Sequence, residues 1–84
     1  SCPLNRAAEN NLYTVSKMLL RHGASSLPYY SPLLYAVKND NVPMTKIFMD
    51  HGIKMTNKND SLMHTAARMN AINVIKYLVV IEIY

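Results

Sequence analysis

The chain has 84 residues and a mass of 9.5 kDa, which allows one small domain and excludes a multidomain enzyme. Half of its residues are apolar, 17% are charged, and Gly and Pro number only two and four, so it holds the material for a core and is not compositionally disordered. Nine Lys and Arg against five Asp and Glu give +4, a weak preference for acidic partners, while the single Cys2 excludes an internal disulfide and favours a reducing compartment.

In chain order, Cys2 takes an N-cap place, for which it is a poor residue, and Pro3 the first helical position, where a missing N–H costs nothing. Asn10-Asn11 end that first helix, because Asn favours turns and caps over helix interiors. A second helix runs through Val15, Met18 and Leu19, the i, i+3, i+4 spacing of a buried stripe. Gly23, preceded by His22, stands where a helix end wants positive φ, and a cationic His there suits the dipole. The link from Ala24 to Tyr30, with Ser25-Ser26 and Pro28, reads as a turn or hairpin. Ser31 and Pro32 open a third helix, Asn39-Asp40-Asn41 break it, and Met44, Ile47 and Phe48 mark the buried stripe of a fourth, with Pro43 tolerated in its first turn. His51-Gly52 close it, and a second link from Ile53 to Asp60 holds Asn57 and Asn59. Ser61 caps a fifth helix, Asn70 ends it, and Val74, Tyr77 and Leu78 form the stripe of a sixth.

These elements repeat. Segments of 23 residues starting at Cys2, Ser31 and Ser61 align without a gap, their starts 29 and 30 residues apart. Each has a small polar opening residue, apart from Cys2, and a small apolar pair at places five and six: Ala7-Ala8, Ala36-Val37 and Ala66-Ala67. Pro3-Leu4, Ala7-Ala8, Gly23-Ala24, Pro32-Leu33, Gly52 and His64 with Ala66-Ala67 resemble the ankyrin-repeat pattern T-P-L-H-x-A-A, turn, apolar helix, G-A. The resemblance covers residues 2–83 and implies an all-α ankyrin-repeat solenoid of stacked helix-turn-helix pairs, with short loops or hairpins between repeats. It makes residues 1–84 one domain with repeats of roughly 1–30, 31–60 and 61–84, expected to be a fragment of a longer array. The period falls short of the family's ~33 residues, the shortage lying in the two links, so the protruding fingers are trimmed. Glu82-Ile83 replaces the third Gly-Ala, and Asn5 and Leu34 stand where the family has His.

No catalytic constellation is present, and the chain reads as a non-enzyme without cofactor or metal. His22 and His51 are explained by helix ends and His64 by the repeat turn, and Cys2 with the three His lacks the spacing of a zinc set. No nucleophile elbow occurs, and two Gly cannot build a phosphate loop. Met18, Met44, Met49 and Met63 are assigned to the core as gap fillers, whereas Met55 and Met69 are not. Lys17, Lys46 and Lys76 each lie 15 places after their repeat's opening residue, which aligns them in a column on the outer helices without interleaved aromatics.

Family resemblance implies binding of another protein through the concave face. Carried over by position, the contacts are Glu9, Asn10, Lys38, Asn39, Arg68 and Met69 at the inner-helix ends, with Tyr29, Tyr30, Lys58 and Asp60 just before the next repeat. The alternatives are nucleic-acid or anionic-surface binding through the lysine column, or a structural spacer in a longer array. Tyr77 to Ile81, the longest apolar run, is far below the ~20 residues of a membrane span, and no signal segment is expected. The apolar ending VVIEIY suggests self-association through uncapped terminal repeats. Nine Asn with six Lys and six Tyr point to an AT-rich genome, such as those of some large DNA viruses, protists or intracellular bacteria, and for such a source the family resemblance implies an intracellular protein, cytoplasmic or nuclear, of a pathogen that binds a host factor.

Overall fold

The computed structural model describes residues 2–23, 31–54 and 61–83; the two expected link turns or hairpins lie outside these, apart from residues 53 and 54. The described residues form six helices: α1 (Pro3–Glu9), α2 (Tyr13–Arg21), α3 (Pro32–Lys38), α4 (Val42–Asp50), α5 (Leu62–Arg68) and α6 (Ile72–Ile83). Consecutive helices pair within each repeat. Across repeats α1, α3 and α5 stack in one row and α2, α4 and α6 in a second.

Pro3 and Pro32 both lie in a first helical turn, and Ser31 and Ser61 accept amide hydrogens from Leu33 and His64, whereas Cys2 makes no side-chain cap. Ser61 Oγ also meets His64 Nδ1 at 3.0 Å, which accounts for the histidine that repeats one and two lack. All three turns inside repeats are built alike. Asn11, Asp40 and Asn70 have φ of 58°, 51° and 55°, a left-handed conformation that Asn and Asp tolerate better than other side chains. The amides of Leu12, Asn41 and Ala71 return to the carbonyls of Ala7, Ala36 and Ala66 at 2.9 Å, and those of Asn11, Asp40 and Asn70 to Ala8, Val37 and Ala67. This is the Schellman pattern, which satisfies carbonyls that a helix end would otherwise orphan. Gly23 (φ 82°) and Gly52 (φ 78°) follow α2 and α4 with their amides turned back to the Leu20 and Met49 carbonyls, and the His51 ring donates from Nδ1 to the Ile47 carbonyl at 2.9 Å.

The core has two parts, one per junction between repeats. Leu4, Ala8, Leu33, Ala36, Met44 and Phe48 fill the first, and Val37, Ala66, Val74 and Leu78 the second. The expected stripes of α4 and α6 are thereby found, with Tyr77 half-buried. That of α2 is not. Val15 and Met18 are 44% and 55% exposed, Leu19 is half-buried, and Ser16 and Leu20 face inward instead. The register gives the reason. Val15 and Met18 occupy the places of Met44 and Ile47, which repeat two turns toward repeat one, and repeat one has no such neighbour among the described residues. Met18 is therefore no core filler, although Met44 is fully buried and Met49 and Met63 are half-buried. The mirror case is Ala67, exposed where Ala8 and Val37 are covered.

A second set of bonds crosses between repeats at the turns. Asn39 Nδ2 donates to the Ala8 and Glu9 carbonyls at 3.4 and 3.2 Å, and Asn41 Nδ2 donates to Asn11 Oδ1 at 3.1 Å. Asn41 also caps its own helix, accepting from the Met44 amide. In repeat three that cap place falls to Ala71, which has no acceptor, and Asp40 of repeat two supplies it. Its carboxylate accepts from the Val74 amide at 3.0 Å and from the Asn73 amide and side chain at 3.3 and 2.9 Å. Pro43 holds the place of Asn73 in repeat two and has no amide to donate, so Asn11 has no equivalent bond to receive there. Burial pushes the Asp40 carboxyl up, but the Val74 and Asn73 hydrogen bonds outweigh it and hold it below the ordinary 3.8.

Asp40→Ala should thus lower stability by about 1 to 2 kcal/mol, from the lost cap and the strain of Ala at positive φ, and Asp40→Asn by less. Because the folded carboxyl binds its proton less readily than the unfolded one, its contribution is complete above pH ~4 and is lost as pH falls through the depressed folded value. Urea melts at several pH values check this: the gap between wild type and Asp40→Asn should be flat above pH ~4 and narrow below it. Gly23→Ala and Gly52→Ala meet no atom within 4 Å, so only backbone strain acts, and each should cost about 1 kcal/mol in thermal melts.

Candidate functional site

Two surfaces follow from the two rows. On the first row, Glu9, Lys38 and Arg68 are the last residues of α1, α3 and α5, all exposed, so the repeat register sets them in a line. Asn10, Asn39 and Met69 are the C-caps that follow, with Met69 half-buried. The two Asn are partly engaged. Asn10 Nδ2 donates to the Arg6 carbonyl at 2.9 Å, and Asn39 bridges to repeat one as above, so Asn39 holds the stack as well as facing outward. Tyr29, Tyr30, Lys58 and Asp60, the other expected contacts, and Met55 lie outside the described residues.

The second row carries Lys17, Lys46 and Lys76, all exposed, on α2, α4 and α6. Lys17 and Lys46 line a groove of about 650 Å³ together with Tyr13, Tyr77, Asp50 and His51. Aromatic residues do accompany the lysines, contrary to the expectation from the sequence. The 15-place register compares like positions only, whereas Tyr13 and Tyr77 come from unlike places in repeats one and three and line one groove together with α4. A helical-wheel comparison of Tyr13 with Lys17, four residues apart and so on one face, was the available signal.

Among the described residues no three of His, Cys, Asp and Glu gather as a metal-ligand set. No described helix is long and apolar enough to cross a membrane.

Stacked helix pairs with identical turns define a helical repeat protein. The chain matches the family described as ankyrin repeats (3 copies) over residues 4–83, and it belongs to that family. No curated protein and no solved structure matches it. Ankyrin repeats are in general non-enzymatic modules of protein–protein interaction.

Proposed function

We propose that the first-row surface binds a partner protein through the concave side of the stack, without catalysis. The observation that supports this is the exposed line Glu9, Lys38, Arg68 at equivalent helix ends, where scattered side chains on a fixed scaffold set specificity. Its mixed charge, one acid followed by two bases, favours a partner surface of mixed sign over a uniform polyanion. Tyr29, Tyr30, Lys58 and Asp60 complete the proposed contacts from the trimmed fingers, with Tyr offering contact area at low entropic cost. The proposed setting is the interior of a cell, cytoplasmic or nuclear, with a host factor as the partner of a pathogen protein. Affinity capture from host lysate tests the reading. The combined variant Tyr29→Ala, Tyr30→Ala, Lys38→Ala and Arg68→Ala should lose the captured protein and keep its helicity by circular dichroism; undiminished capture refutes the assignment.

A second proposal concerns self-association, and the exposed sides of the outer repeats favour it. Val15 and Met18 on repeat one, and Ala67 and Val79 (44% exposed) on repeat three, occupy places that repeat two covers with its neighbours. By register, the side of repeat three is the kind of surface that the side of repeat one packs against, so a second copy can extend the stack head to tail. The single domain of residues 1–84 is then a unit of a longer array. Light scattering should give a mass above 9.5 kDa that falls when Met18 and Val79 are changed to Lys. A monomer throughout the micromolar range refutes it.

A further inference from the structure

The groove on the second row is lined by none of the proposed contact residues. Its size, about 650 Å³, is within the ~300 to 1,000 Å³ of ligand sites. Its chemistry is mixed. Val42, Pro43 and Ile47 of α4 give an apolar lining, while Tyr13 from α2 and Tyr77 from α6 flank it with rings that carry a polar tip. Lys17 and Lys46, with His51 beside them, face the groove against the single carboxylate of Asp50, and Lys76 continues the lysine column on α6.

We propose that this groove binds an acidic peptide segment carrying one apolar or aromatic anchor residue. The anchor packs on Val42, Pro43 and Ile47 between the two Tyr, and flanking carboxylates pair with Lys17 and Lys46. The excess of Lys17 and Lys46 over Asp50 within the groove selects the acidic segment. A peptide fits better than a nucleic acid, because two groove lysines beside an aliphatic lining give few phosphate contacts but a good seat for an apolar side chain. Tyr and apolar residues at the centre with charges around them is also the composition of protein-binding hot spots.

The probes are fluorescein-labelled peptides of about ten residues rich in Glu and Asp, with a central Phe, Leu or Tyr, the same peptides with every acid replaced by its amide, and a poly-dT oligonucleotide. Anisotropy on the full 84-residue chain, with amide chemical-shift mapping, reads the binding and its place. At least one acidic peptide should bind saturably and shift the amides of Tyr13, Lys17 and Lys46. Its affinity should fall at least tenfold on amidation and in the Lys17→Glu, Lys46→Glu double variant, while Lys38→Glu with Arg68→Glu leaves it unchanged. The double variant should in turn bind a Lys-rich peptide with the same anchor, which a merely unfolded protein cannot do. Absence of saturable binding by every acidic peptide overturns the proposal, as do shifts confined to the first row. Tighter binding of the oligonucleotide, lost in the double variant, overturns it in favour of nucleic acid. Since the first-row variants and the groove variants are separate, failure here leaves the concave-side reading standing, and the converse holds.

Discussion

A pair of helices seven and nine residues long cannot stand alone in water, and neither can it bury its own two apolar sides. Stacking settles both needs at once, because each junction covers one side of two repeats. Repeat two is covered on both: Met44 and Phe48, the only Phe in the chain, are completely buried in the first junction and Val37 in the second. Small residues make the junctions close. Ala8 and Ala36 bring α1 and α3 near enough for Leu4 and Leu33 to fill the same space, and Ala66 takes the like place beside Val37 in the second junction. Loss of Phe48 would remove the largest fully buried side chain and would cost of the order of 3 to 5 kcal/mol, a large part of the stability of so small a domain.

The two rows divide the labour. First-row helix ends combine charge of both signs with turn residues that also tie the repeats together, as Asn39 does, so that surface is rigid where a partner would touch it. Second-row helices present lysines over an apolar strip. One scaffold thereby offers two chemically different faces, separated by the core, and variants on one face need not disturb the other.

Helix positions and the family were readable because they rest on local rules: Pro at a helix start, Asn or Gly at positive φ, and three copies that check each other. What the repeat average hides is position in the stack. Val15 and Met18 look like core when aligned with Met44 and Ile47, yet burial depends on a neighbour that the alignment does not contain. The groove was hidden for a related reason, since its two Tyr come from different places in different repeats and only stacking joins them. The role of Asp40 could be read only in part. Its place in the turn is a local signal, but its bonds reach Asn73 and Val74, more than 30 residues away, and become visible only with the absence of a cap at Ala71.

That missing cap gives the stack a direction. The first turn of α6 depends on a carboxylate held by the turn between α3 and α4, whereas α4 carries its own acceptor in Asn41 and asks nothing of repeat three. Repeat two in place therefore stabilises the first turn of the next second-row helix, and no cap runs the other way. A chain emerging from the ribosome presents its repeats in that same order. This cap and synthesis run in one sense, so the third helix pair is made after the turn that organises its outer helix.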